Sequence, residues 1–348
     1  MRAVVLKDGG QITVENVPDA SLKESSDVLV RVTLAAICGT DVSIKRGKIP
    51  GIEPGTTLGH EFVGIIQETG SRVRRFQVGD RIASPPALSC GVCPACRSSE
   101  LQNCVESSMY GGGRFMSPMD LNGVQTELVR VPNADFVLTP IPDGVLDEQA
   151  ILVADMFNTG YHAATEARIG VADSVAVSGC GPVGLCAILG AWQYGPSQVF
   201  AIDLFDNRLA LAERYGAIPI DIRRGDSAEQ VLAATAGEGV DVVLEASGNG
   251  IAFTKALRMI KKNGTVSCVG LFHDSVEFPV QELIYRGIRV VMGLANVVHI
   301  PKLMKLVEHG RVDLEPIGTH TFVLEDAGEA YDLFENHKDL CLKVFLRP

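Results

Sequence analysis

Two rhythms of apolar and polar residues divide this chain. Through about the first 150 residues the apolar runs are short: AVVLK, DVLVRVTLAAI and FVGIIQETG, each cut off by Gly, Pro or charged residues. Runs of this length and composition predict strands, and long helical periodicities are few. Near residue 155 the rhythm changes. FNTGYHAATEARI has helical spacing, and SVAVSGCGPVGLCAILGAWQYG reads as strand, glycine turn and helix. QVFAIDLF predicts a second strand, and NRLALAERYGA a second helix stopped by glycine. VDVVLEASG, AFTKALRMIKKNG and TVSCVGLF continue the alternation. Repeated βα units of this kind predict an α/β fold, a doubly wound parallel sheet with helices on both faces. After about residue 295 the alternation fades, and IPKLMKLVEHGRV opens a mixed tail.

Composition narrows the functional classes. At 348 residues the chain exceeds one ordinary core, so two domains are expected. A net charge of -11 argues against nucleic-acid or acidic-membrane partners, which need a basic face. The opening MRAVVLKDGGQ lacks the features of a signal peptide, and no apolar stretch reaches membrane-spanning length. A cytoplasmic protein is the expectation. Nine cysteines are present, four of them within fifteen residues, and in that setting metal ligation is a better reading than disulfides.

Gly179, Gly181 and Gly184 form a G-x-G-x-x-G pattern, with Pro182 and Val183 inside it. The pattern alone is weak, but here a β-branched strand precedes it and a long apolar helix follows. The three glycines then serve, in turn, the tight turn, the close approach of backbone to a pyrophosphate, and close helix–strand packing. Asp203 ends the next strand, where a carboxylate accepts hydrogen bonds from an adenosine ribose and repels a 2′-phosphate. NAD is therefore favoured over NADP. The alternative is that Asp203 merely caps the following helix. Arg208, five residues on, is assigned to the same site.

Cys90, Cys93, Cys96 and Cys104 give a C-x2-C-x2-C-x7-C run. Four thiolates so spaced can surround one ion and leave no open position, as structural zinc requires. Disulfides between residues three apart are strained, and an iron–sulfur cluster is the lesser alternative.

The stretch LAAICGTDVS raises a different question, because a free Cys38 is as consistent with a core as with a reactive site. In TLGHEFVG, His60 would form with Cys38 half of a soft-plus-imidazole ligand set that zinc prefers. Asp155, ending an apolar segment in ILVADMFNTGYH, supplies a candidate third ligand; a helix N-cap is its alternative role. Three protein ligands leave a fourth position for a substrate oxygen.

Taken together, ICGTD, GHEFVG…VGDRI, the four-cysteine lobe, NTGYHA and SGCGPVG followed by Asp203 resemble, end to end, the zinc-dependent medium-chain alcohol dehydrogenases. The resemblance implies a β-rich, GroES-like catalytic domain at residues 1–155 with a structural zinc lobe at about 88–106. It implies a Rossmann NAD-binding domain at 156–294 and a return to the catalytic domain at 295–348. By position it makes Cys38, His60 and Asp155 ligands of a catalytic zinc, and Glu61 a carboxylate that can join them. Asp41 becomes the group that orients the ligating histidine, and Thr40 the acceptor of the substrate proton. Thr159 and Lys343 match positions near the nicotinamide and the pyrophosphate. Ser43 stands where many relatives carry His.

Asp at 155 is most similar to secondary-alcohol dehydrogenases and ketone reductases. Two zinc ions per subunit, a small alcohol or carbonyl substrate, and a homodimer or homotetramer are the further expectations. A polyol or amino-alcohol dehydrogenase is the competing one. Phe62, Tyr110, Met119 and Leu294 are candidate pocket residues.

Overall fold

The structure is a computed structural model that describes residues 1–112, 119 and 121–348. It contains two compact units, Met1–Asp155 with Asn296–Pro348, and Met156–Ala295. Among the described residues no helix is long and apolar enough to cross a membrane.

The first unit is built on a mixed sheet with strand order Gly318–Val323, Lys343–Arg347, Val28–Ile37, Glu61–Thr69, Arg81–Ser84 and Thr139–Pro140; Leu128–Val131 also pairs with Val28–Ile37. Val28–Ile37 is buried at nearly every position, as its near-continuous apolar run requires of a central strand. Its C-terminal end decides where the chemistry sits. Ala36 pairs antiparallel with Glu61, and Ile37 with Val344. One strand therefore ends where two neighbours begin, and Cys38, His60, Glu61 and Lys343 gather at that edge. Because successive strand side chains face opposite ways, Glu61 and Phe62 part company: Phe62 enters the apolar core with Leu58, Ile82 and Tyr110.

The second unit carries a six-stranded sheet in which every pairing is parallel. Its order is Ile218–Asp221, Gln198–Asp203, Ser174–Ser178, Val240–Glu245, Ile260–Cys268, Arg289–Met292. Numbered along the chain that is 3-2-1-4-5-6, the doubly wound order expected from the alternating pattern. One boundary differs from the sequence reading. The helix expected across AFTKALRMIKKNG stops at Met259, and the next strand already begins at Ile260. Asn263 takes a left-handed φ of 61° within Lys-Lys-Asn-Gly, a geometry no helix interior accepts.

Candidate metal centres and nucleotide site

Cys38 ends the central strand and precedes the short helix Gly39–Lys45. Asp41, at the third position of that helix, reaches back to accept the Cys38 N–H at 2.9 Å, as a capping residue does. Its other oxygen lies 3.1 Å from His60 Nδ1, so one buried carboxylate fixes both the Cys38 backbone and the imidazole. With Nδ1–H donated to Asp41, the Nε2 lone pair is free to face the cluster. His60 Nε2 stands 3.7 Å from Asp155 Oδ2 and 3.9 Å from Glu61 Oε1. One ligand atom from each of Cys38, His60, Glu61 and Asp155 falls within 4.8 Å of all the others. Asp155 reaches this point from a π turn, Val153–Phe157, and so is not the helix N-cap it was weighed against. Such turns redirect a side chain out of the ordinary helical progression.

The electrostatics of this cluster are those of a cation site. Glu61 is buried with one oxygen, Oε2, lacking any hydrogen-bond partner. Burial, then the charge of Glu61, push the Asp155 carboxyl up to about 7, and the same two causes raise the Cys38 thiol. Burial works against a charged His60, yet Asp41 outweighs it and the ring is held well above its usual range. Three acidic ligand candidates and Asp41 thus face a single lysine. A divalent ion fits that donor set and that charge deficit.

The lysine is Lys343, wholly buried in the first unit with Nζ 2.5 Å from Glu61 Oε1. Burial disfavours its charge, but Glu61, Cys38 and Asp155 together raise its pKa. Thr40 Oγ1 lies 3.9 Å from Cys38 Sγ, and Ser43 follows one turn on along the same helix. Phe62 and Tyr110 prove to be core rather than pocket: their rings meet edge to face at 5.6 Å, and the Tyr110 hydroxyl pairs with Ser84. Met119 packs against that same core, while Leu294 is exposed in the other unit. Sequence reasoning missed Gln125 and Tyr331, which stand behind Asp41. The one signal for Gln125 was a polar residue directly after apolar Val124 in NGVQTELV.

The four-cysteine run folds on itself. Sγ atoms of Cys93 and Cys96 are 3.5 Å apart, those of Cys90 and Cys96 3.9 Å, and all four are free thiols within 4.8 Å of one another. Tetrahedral sulfurs at zinc–sulfur distances of about 2.3 Å are about 3.8 Å apart, so zinc fits. Backbone N–H groups of Cys96 and Val105 draw Cys93 down to about 6, while burial pushes Cys96 and Cys104 up. Sulfurs this close cannot all ionise without a cation among them.

In the second unit each glycine of the turn occupies the geometry its role requires. Gly179 has φ of 88°; a Cβ at Gly184 would collide with the Gly179 carbonyl; a Cβ at Gly181 would meet Arg208 Nη1 at 3.9 Å. Pro182 opens the helix Pro182–Trp192, followed by Val183, at the position where a missing N–H costs the helix nothing. Asp203 accepts from Cys180 N at 2.7 Å and from Leu204 N and Phe205 N. It does not cap the helix Asp206–Arg214, whose N-cap is Phe205. Arg208 stacks over Phe205 at 4.7 Å with Nη1 3.6 Å from Asp203, and its buried Nε has no partner. Thr159 lies in the first turn of the helix Asn158–Ala167.

Known proteins share this arrangement. Residues 24–143 match the family described as alcohol dehydrogenase GroES-like domain, and residues 182–308 the family described as zinc-binding dehydrogenase. A Mycobacterium tuberculosis protein named "probable zinc-binding alcohol dehydrogenase" is 40% identical, over all of this chain and 89% of its own. An alcohol dehydrogenase of Cupriavidus necator is 35% identical over the whole chain and 99% of its own length. The solved alcohol dehydrogenase of Thermus sp. ATN1 superposes with a TM-score of 0.94 at 38% identity, covering 100% and 99% of the two chains. Relatives named sorbitol dehydrogenase and L-threonine 3-dehydrogenase, from Bacillus species, are 31% and 32% identical. The fold expectation, a GroES-like unit plus a doubly wound parallel sheet, stands.

Proposed function

Because this chain belongs to the zinc-dependent medium-chain alcohol dehydrogenases, we propose that it is an NAD(H)-linked oxidoreductase interconverting secondary alcohols with ketones, and primary alcohols with aldehydes. The observation that carries this reading is the convergence of Cys38, His60 and Asp155, with Glu61 beside them. When bound, zinc supplies Lewis acidity toward the substrate oxygen, and the nicotinamide supplies the hydride acceptor. Cys38, His60 and Asp155 hold the ion, and Glu61, tethered by Lys343, is a carboxylate in reserve. Asp41 keeps His60 in the tautomer that offers Nε2. The hydroxyl of Thr40 accepts the substrate proton at Oγ1 and passes it outward; Ser43 carries no charge at neutral pH and cannot store it. Cys90, Cys93, Cys96 and Cys104 hold a second, structural zinc, giving two per subunit.

The domain division follows: 1–155 with 295–348 for catalysis, 156–294 for the nucleotide. Gly179, Gly181, Pro182, Val183 and Gly184 cradle the pyrophosphate, with Thr159 and Arg208 as further contacts. Asp203 favours NAD. A homodimer or homotetramer is proposed because Arg289–Met292 is the edge strand of its sheet with Met292 more than half exposed. Molar mass in solution tests it; a monomer would refute it.

The deciding experiment is a kinetic screen of simple alcohols and ketones against sorbitol and threonine, each with NAD(H) and NADP(H). Faster turnover of simple secondary alcohols with NAD is expected. Preference for sorbitol or threonine would establish the polyol or amino-alcohol reading that the Bacillus relatives favour, and preference for NADP would refute the role given to Asp203.

A further inference from the structure

A polar chain stands behind Asp41, and nothing in the reaction uses it directly. Gln125 is wholly buried, in a unit whose neighbouring residues Leu58 and Val124 are apolar and equally buried. Its Nε2 donates to the Ala36 carbonyl at 3.1 Å and reaches Asp41 Oδ2 at 3.5 Å. Its Oε1 accepts from the Tyr331 hydroxyl at 2.9 Å, and Tyr331 is itself 1% exposed. The neighbours dictate which end of the amide is which. A carbonyl and a carboxylate only accept, so the NH2 group must face them, and the oxygen is left for tyrosine.

The same side chain lies across Gly59, the residue before His60. Gly59 has φ of 93°, and a Cβ there would collide with Gln125 Cγ and stand 2.9 Å from Gln125 N. Gln125 is in turn pinned through its backbone, to Leu58 O and from Val4 N. Three pieces of the ligand framework therefore end on one side chain: Ala36, two residues before Cys38; Asp41, which binds the Cys38 N–H and His60 Nδ1; and Gly59. A buried amide is unfavourable unless both ends are matched, and here both are.

We propose that Gln125, held in place by Tyr331, is a positioning residue that fixes how Cys38 and His60 face the ion. The proposal rests on the reading that those two residues bind metal. An apolar side chain of similar size would fill the space while releasing both Asp41 Oδ2 and the Ala36 carbonyl.

The test uses the full chain loaded with zinc, and a parallel sample carrying Co2+ in its place. Metal per chain, the rate of metal transfer to a chromophoric chelator, and the visible cobalt spectrum are measured. Cys38→Ser comes first: loss of one metal and of part of the absorption identifies the site's signals. Two metals and an unchanged spectrum in that variant would overturn the site reading itself. With the signals identified, Gln125→Leu is expected to release that metal about tenfold faster with shifted absorption bands, the lobe metal being unaffected. Tyr331→Phe should act in the same direction, about threefold. Parental release rate and band positions in Gln125→Leu would overturn the proposal. Should Gln125→Leu fail to fold, the same parental values in Tyr331→Phe would overturn it.

Discussion

The two candidate metal-ligand clusters of this protein are built by opposite means. In the lobe, four ligands come from fifteen consecutive residues, and backbone N–H groups are their main support. In the other cluster, candidate ligands at positions 38, 60, 61 and 155 are brought together by two strand ends and a π turn. Around them stand Asp41, Lys343, Gln125 and Tyr331, each bonded to the next group inward. Four thiolates close a coordination sphere and leave no position for chemistry, so simple support suffices for the lobe. A mixed set that must bind a substrate needs its ligands held at fixed angles by groups that are not ligands.

The largest effect that would sharpen this contrast comes from Cys38→Ser or His60→Ala. Either should lower kcat by about a thousandfold or more while the lobe metal and nucleotide binding, measured by metal analysis and NADH fluorescence, stay as in the parent. Full activity in either variant would erase the distinction drawn between the clusters. Cys96→Ser should do the converse, losing one metal and about 2–4 kcal/mol of stability in thermal unfolding, with the turnover of the folded fraction preserved. Lys343→Met strands the buried Glu61 charge and should destabilise the metal-free protein by about 3 kcal/mol in denaturant titration. Lys343→Met with Glu61→Gln should recover most of that loss, and no recovery would show the pair is not the cause. The smallest effect is Ser43→His, expected to move the pH profile of alcohol oxidation more than that of carbonyl reduction, by a few-fold in rate. Unchanged profiles in both directions would place Ser43 outside the proton path.

The same contrast explains what was legible in the sequence. The lobe could be read directly, because spacing along the chain is spacing in space. The glycine turn was legible for the same reason: Gly179, Gly181 and Gly184 lie within one strand–turn–helix. For the dispersed cluster, residue types named Cys38, His60 and Asp155 as candidates, but only the pairing of Ala36 with Glu61 and Ile37 with Val344 brings Lys343 to Glu61. Phe62 and Tyr110 looked like pocket residues because aromatic side chains suit both a pocket and a core. Strand alternation from Glu61 decides for the core. Gln125 and Tyr331 left almost no trace, since their partners lie far away in the chain.

The register at the strand ends also sets how this region can change length over evolutionary time. From Ala36–Glu61 through Ala35–Phe62 to Leu34–Val63 the pairing is strictly one for one, and the first irregularity falls between Val32 and Leu34. Deleting Glu61 would bring Phe62 next to His60 and put a phenyl ring among the ligands, and a one-residue slip of this strand would turn Glu61 toward the apolar core. An extra residue beyond Leu34 meets a place where the ladder already absorbs one. Insertions and deletions among descendants of this sequence should therefore collect on the far side of that bulge and spare the three pairs nearest the ligands.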